Sequence, residues 1–514
     1  MFITETDLIN MKITADAAIN NSEIIKSLIQ EDVSSPQKQF MAVGERYYVG
    51  EHDILNQDFT SVWLSETSVD AAGKEIEEKK WFQNPNRSNH HNVNAFHRIL
   101  VEQKSAYLVG REPTITVKSA ENNQENKAYE SLLATWADDN FNDALQDWII
   151  GASNKGWEAL HVYYDKNGDL QYCIVPASEL ILIYDTEHET QLQQVIRYYD
   201  TMVIKGKDKK IRKRVEWWTA QDVTYYMEDD NHAYFLDRSY APNPAAHWYD
   251  ISLLNGAPQK MEPHSWGRVP FVILKNNNKS TSDLQPIKGL IDAYDLISSE
   301  GTNNLLDLVD LYWVIEGYGG ETAKSIARKL QINKAVHISD SNGKVEAKQV
   351  ELPVTSRLEY LKMLRRDIYN FGQGVDVDSD KFGNAPSGVS LKFHYTLLDL
   401  KANAMAAKLR KAVKEFFWFL TDDHNRHNGT SYDSNLIEVS LNMSQIANDM
   451  ETVQMIVQSK GIVSDKTLLS KHPFVVDVNE ELKDIENQEQ KEQEQWEQYQ
   501  TSKKGGVVDA QEEQ

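Results

Sequence analysis

Cysteine is nearly missing from this sequence. Cys173 is the only one in 514 residues, so no disulfide can close within the chain, and a reducing compartment suits it. Positive charge is short too. Lys and Arg number 54 against 78 Asp and Glu, a formal net charge of −24, so the surface as a whole repels nucleic acid and argues against a basic, sequence-reading protein. Long apolar runs are also lacking. Nothing approaches the roughly twenty residues of a membrane span, and the opening MFITETDLIN has no basic-then-apolar order of an export signal. The expected place of synthesis is the cytosol. What the chain does have is 40% hydrophobic residues, enough for a sizeable core divided among several domains. Cys173, in the alternating run QYCIVP, reads as a small strand residue.

The motifs of common chemistries fail on spacing. VIEGYGGETAKSIARKL looks like a phosphate loop, but such a loop needs glycine immediately before its lysine and again five residues earlier. Ala323 precedes Lys324 and Tyr318 stands at the other place, while Glu321 would set a like charge beside a phosphate. A dinucleotide fingerprint fails because Thr322 holds the third glycine's position. Asp376, Asp378 and Asp380 imitate the first ligands of a calcium loop, yet Lys381 replaces its glycine and Ser387 its glutamate. His90, His91 and His97 lack the i, i+4 spacing or cysteine partners of a metal site. No nucleophile elbow or zinc-protease helix is present, so the expectation is no enzyme, no cofactor and no metal.

Periodicity divides the chain. Residues 1–40 read as a polar arm with one short amphipathic helix, followed by a helix ending near Gly110 and Pro113, then from Gly156 to about Leu274 a meander of short strands. The basic turn KGKDKKIRKR, Lys205 to Arg214, reads as a solvated hairpin end. Ser282 and Pro286 open a helix over 283–310. A β-α-β-β unit over 311–352 is too small for independent stability, and a second helix over 353–372 carries Leu358, Leu361, Leu364, Ile368 and Phe371 on one face. An acidic loop, 373–387, leads into a long helix, 388–430, striped by Leu391, Tyr395, Leu398, Ala402, Met405, Leu409, Val413, Phe416 and Leu420. Residues 479–514 are rich in Glu and Gln and are expected to be largely disordered, with any helix at their start.

Several passages in order, YYVGEHDIL, NVNAFHRILVEQKSAYLVGREPTI, VPFVILKNNNKSTSDLQPIKGLIDAYDLISS, FGNAPSGVSLKF and GIVSDKTLLSKHPFVVDVNEEL, resemble the portal proteins of tailed bacteriophages, the siphophage-type head-to-tail connectors. The resemblance runs from Tyr47 to Leu482. It implies an α+β, mainly helical subunit with a β-rich meander, assembling into a dodecameric ring at one capsid vertex of the virion after synthesis in the host cytoplasm. Residues 41–282 and 388–430 would be the wing, 283–310 and 353–372 the stem, 311–352 the clip, 373–387 the tunnel loop and 431–478 the crown. The implied partners are double-stranded DNA passing without sequence specificity, the terminase large subunit, a head-completion or tail adaptor, and the major capsid and scaffolding proteins, with no membrane.

Under that resemblance the tunnel loop offers Asp376, Asp378, Asp380, Lys381, Phe382 and Asn384 to the channel. A channel must touch DNA without holding it, and each phosphate gripped by a cation adds affinity and so friction. Carboxylates facing the duplex repel it, while Gly372, Gly374, Gly383 and Gly388 are expected to loosen the loop. Lys362, Arg365 and Arg366 are candidates for basic rings in the stem, and Glu321, Lys324, Arg328 and Lys329 for partner contacts in the clip. The rival readings are a non-channel capsid scaffold and, from the failed glycine run, a nucleotide-driven translocase.

Overall fold

The computed structural model describes residues 3–14, 21–69, 75–83, 87–118, 123–185, 191–205, 208–254, 257–307, 312–316, 344–348, 354–377, 388–443, 449–475 and 478–505. The chain divides into two units, Met1–Asp376 with Leu397–Ser444, and Val377–Thr396 with Gln445–Gln514.

The first unit opens with strand β1 (Ile3–Thr4) and helices α1 (Glu5–Thr14), α2 (Asn21–Ser34) and α3 (Pro36–Val49). Ser35 caps α3 by accepting from the Lys38 amide at 3.2 Å, Pro36 sits in the first turn where no donor is needed, and Gly50 ends the helix at φ 89°. Residues 1–40 are therefore more than a polar arm. Leu8, Ile24, Ile25, Leu28 and Ile29 are buried in a core cluster with sheet residues Ile181, Ile183, Ile196 and Val215, because the paired spacing of α2's isoleucines and leucine makes one apolar face among charges.

Next come the hairpin β2 (Ser61–Val69) and β3 (Glu75–Gln83), helix α4 (Phe96–Val109), strand β4 (Thr114–Val117) and helices α5 (Gln124–Trp136) and α6 (Asp139–Lys155). Asp138 caps α6 through the Phe141 amide at 2.9 Å. Gly156 closes it at φ 96°, against the Ser280 carbonyl where a side chain has no room.

The meander follows as β5 (Trp157–Tyr164), β6 (Leu170–Val175), β7 (Leu180–Tyr184), β8 (Leu192–Lys205), β9 (Asp208–Trp218), β10 (Asp222–Glu228), β11 (Tyr234–Leu236), β12 (Ala245–Ala246), β13 (Trp248–Leu254), β14 (Ala257–His264) and β15 (Phe271–Lys275). The main sheet has the order β1-β7-β8-β9-β10-β11, with β12 also on β10, and β15-β5-β6 form a second sheet. All five residues of β7, LILIY, are buried. Leu180, Leu182 and Tyr184 join Met41, Trp157 and Phe271 on one side, Ile181 and Ile183 join α2 on the other. A strand covered on both faces is apolar throughout. The basic run from Lys205 to Arg214 lies in the β8–β9 hairpin, where Lys213 pairs with Asp200 at 2.7 Å and Lys210 and Arg212 pair with Asp230 at 2.9 and 2.8 Å.

Helix α7 (Lys288–Asp307) starts after a run of turns over 283–287, later than the sequence suggests, because Ser282 caps this turn through the Leu284 amide at 3.1 Å. Strands β16 (Tyr312–Glu316) and β17 (Lys344–Lys348) pair antiparallel; the helix and strand expected between them, with Glu321, Lys324, Arg328 and Lys329, lie outside the described residues. Helices α8 (Val354–Phe371) and α9 (Gly388–Asn428) and strand β18 (Ile437–Ser440), antiparallel to β4, follow. On α9, Leu398, Ala402, Met405, Leu409, Val413 and Phe416 are buried.

The second unit contains α10 (Asp449–Ser459), α11 (Asp465–Leu469) and α12 (Val478–Gly505). The last carries helix from the start of the tail through residue 505. Glu, Gln and Lys are strong helix formers with no need of a core, and Trp496 is left 65% exposed. The fold is α+β, with helices and mainly antiparallel sheets in separate stretches.

Candidate functional site

The helix pair α7 and α8, with the residues after α8, holds the stem and loop candidates. Ile287 and Ile291 from one side and Ile368 and Tyr369 from the other share a buried cluster with Tyr47, Phe96 and Leu100. Gly301 faces Arg357, whose guanidinium would lie 3.2 Å from an added Cβ.

An extended segment, residues 88–94, runs along α7. The backbone amides of Ser88, His90, Asn92 and Asn94 donate to Asp307 (2.9 Å), Asn303 (2.7 Å), Ser299 (2.9 Å) and Asp295 (2.9 Å). Alternate residues of the segment thus meet every fourth residue of the helix. Asp295 also bonds His52 Nδ1 at 2.5 Å, both side chains fully buried. Of the neighbouring histidines, the His90 amide belongs to this ladder, while His97 is buried in α4 and bonds Asn154. Among the described residues no cluster of His, Cys, Asp or Glu suits a metal.

The three cations singled out on α8, Lys362, Arg365 and Arg366, each meet a carboxylate of the same chain. Lys362 meets Glu359 at 3.0 Å and Arg366 meets Asp367 at 3.0 Å. Arg365 makes a two-pronged pair with Asp376, at 2.7 and 3.0 Å, the bidentate geometry that is strongest for guanidinium and carboxylate. Asp376, the first acidic residue of the candidate tunnel loop, is therefore a partner of the helix before it. Asp378, Asp380, Lys381, Phe382 and Asn384 lie outside the described residues.

The segment from Gly372 to Asp376 is fastened on several sides. α8 ends in a Schellman motif: the Gln373 amide bonds the Asn370 carbonyl (3.3 Å) and the Gly374 amide that of Tyr369 (2.9 Å), with Gln373 left-handed at φ 56°. Gly372 and Gly374 do not supply the looseness the sequence suggests. A Cβ on Gly372 would lie 2.6 Å from Leu100, and one on Gly374 would overlap the same leucine, so glycine here permits close packing. Val375 is buried, its amide donating to Gln103 Oε1 at 3.0 Å and its carbonyl accepting from Gln103 Nε2 at 2.8 Å. The side chain of Gln103 takes the place of a neighbouring strand.

Lys401 of α9 donates to the Gly372 carbonyl at 2.9 Å and lies 3.1 Å from Asp283. Asp283 also accepts from Lys104 at 2.6 Å and from Asn276 at 2.8 Å. Burial alone would raise its carboxyl, yet the two lysines hold it well below the ordinary range. Lys104 is completely enclosed, and burial brings its ammonium down to about 8. Burial likewise takes His97 down to about 4. Sequence reasoning missed this network, though one signal was present: Lys104 stands four residues after Leu100 and four before Leu108, on the buried face of α4. For Gln103 no such signal exists.

Elsewhere, Arg410, Lys411 and Lys414 of α9 line an open cleft of about 440 Å³ with Glu438, Val439 and Ser440 of β18. Among the described residues no helix is long and apolar enough to cross a membrane.

Similarity over the whole chain gives the family to which this arrangement belongs. The family model for the phage portal protein, SPP1 Gp6-like, matches residues 32–495. The portal protein of Bacillus phage SPP1 is 32% identical over 489 residues, 94% of this chain and 90% of its own length. That of Clostridium phage phiCD119 is 29% identical over 478 residues, 89% of this chain and 94% of its own. The chain belongs to the phage portal protein family, structural components of the capsid that serve DNA packaging.

Proposed function

We propose that copies of this chain stand side by side in a dodecameric ring at one capsid vertex, with α7 and α8 as its stem and residues 373–387 reaching into the channel. The apolar side chains left exposed along the helix pair carry this reading. Leu305, Val354, Leu358 and Phe371 are 50–62% exposed, and Leu306, Tyr360 and Met363 are 38–46% exposed, apolar surface that points to an interaction site. A neighbouring copy covers such a face. In this reading 41–282 and 388–430 form the wing, 311–352 the clip that meets the terminase large subunit and later the tail adaptor, and 431–478 the crown. Double-stranded DNA passes through, driven by a separate motor, and the chain itself hydrolyses nothing.

The paired stem cations suit such a channel, because a lysine already holding a carboxylate adds less grip on phosphate than a bare one. Asp376 is occupied by Arg365, so the repelling carboxylates are Asp378 and Asp380. Replacing both by lysine should give salt-sensitive retention of DNA, since log affinity rises by about 0.9 per phosphate contact for each tenfold drop in salt; replacing both by asparagine should do far less. DNA packaged per particle, at low and high salt, distinguishes them. Equal packaging by the two variants sinks the channel role of the loop, and electron micrographs of the purified protein without rings sink the assembly.

A further inference from the structure

The geometry assigns Gln103, Arg365 and Lys401 as positioning residues that clamp the root of the loop, residues 372–376, so that the part offered to DNA begins from a fixed point after Asp376. This rests on the channel reading of the loop.

Five consecutive residues receive anchors from three helices. α4 supplies Gln103, which satisfies both backbone groups of Val375, and Leu100, against which Gly372 and Gly374 lie. α9 supplies Lys401 to the Gly372 carbonyl. α8 supplies the Schellman closure and Arg365 to Asp376. A surface loop ordinarily leaves its backbone groups to water. Here partly buried side chains are committed to them, and Lys401 is itself seated on Asp283.

The clamp has a mechanical sense. A force applied to a loop by a passing duplex acts on its root, and the last turn of a helix is the first part to fray. Gln103 ties that root to a helix whose Leu100, Val101, Lys104 and Leu108 are all buried, so the load passes into the wing core instead of unwinding α8. Because Gln103 both donates and accepts, its role has a chemical signature: a protonated glutamic acid can make the same two bonds, a carboxylate only one.

The test uses the assembled protein with Gln103→Met, which keeps the shape and removes both bonds, and Gln103→Glu. Amide hydrogen exchange of the peptide covering 372–377 should quicken about tenfold in Gln103→Met, as expected for two lost hydrogen bonds, while the body of α8 exchanges as before. In Gln103→Glu the protection relative to wild type should be poor at neutral pH and return as the pH falls toward the carboxylic acid range, about 4.3. DNA packaged per particle should fall severalfold in Gln103→Met with rings intact. Unchanged exchange in Gln103→Met overturns the clamp, whatever packaging does. Faster exchange with normal packaging overturns its functional half: if the lysine variants of Asp378 and Asp380 still stall packaging, the loop lines the channel but needs no fixed root, and if they too package normally, the channel reading falls with it.

Discussion

Lys104 and Lys362 are both helix lysines with a carboxylate partner, and they do opposite things. Lys104 is sealed in the core on α4, bonded to Asp283 and Asn276 with Lys401 at the same carboxylate. Lys362 sits on α8 with its side chain 63% exposed, three residues from Glu359. In the first place water cannot replace a missing partner, so each bond fixes geometry; in the second it can, so the pair only cancels charge. The core around Lys104 is built to hold a shape. The surface of α8 around Lys362 is electrostatically quiet.

The strongest way to break that contrast is Asp283→Ala, which leaves Lys104 buried without its counter-charge. A loss of about 3–5 kcal/mol is expected, read by denaturant unfolding, and Lys104→Met added to Asp283→Asn should recover much of it. A loss below 1 kcal/mol would place the two regions in one class. Next in size is Gly374→Ala, which drives a methyl group into Leu100; overpacking of this kind costs up to about 3 kcal/mol, and the same substitution at solvent-facing Gly289, which has nothing within 4 Å, should cost nothing.

Acid provides a third test. His161 lies against Phe271, and burial takes its imidazole down to about 3. The unfolded chain binds a proton near pH 6.5 and the folded one does not, so stability is full above 6.5 and falls as pH drops toward the folded value. At pH 5 this group alone should remove about 2 kcal/mol. His161→Phe should flatten that part of the pH profile while keeping stability at pH 7; an unchanged slope would mean that the ring is protonated in place. The smallest effect is on the surface of α8: Lys362→Gln and Arg366→Gln should each move stability by less than about 0.5 kcal/mol, with a thermal shift larger than a few degrees showing that these pairs matter to the fold after all.

Much of this was legible from residue spacing. The stripe on α9 and the alternation of the meander follow from periods of 3.6 and 2, and the capping serines and aspartates fall where such residues satisfy free amides. On α8 the stripe from Leu358 to Phe371 was readable, but only Leu364 and Ile368 are buried within the chain; periodicity marks an apolar face without saying who covers it. Glycine was misread at Gly372 and Gly374 because freedom and close approach ask for the same residue. Gln103 and Val375 are 272 positions apart, and no local pattern announces a side chain that will serve as a strand. In the first 40 residues and in the Glu/Gln tail low hydrophobicity understated the extent of helix, for which a few isoleucines, or helix propensity alone, sufficed.

The ladder between residues 88–94 and α7 behaves as a vernier. Two residues of extended chain advance about 6.6 Å, four of helix about 6.0 Å, so each successive rung is out of step by about 0.6 Å. Over the three intervals from Asn94 to Ser88 the slip approaches 2 Å, near the limit a flexible side chain can absorb. The two scales therefore coincide for about four rungs and no more, which sets how far a strand can accompany this helix. It also makes the contact sensitive to parity. One residue inserted among 88–94 would turn the donating amides away from α7, whereas two would restore their direction and shift the segment by a single rung, so the strand can move along the helix only in whole steps.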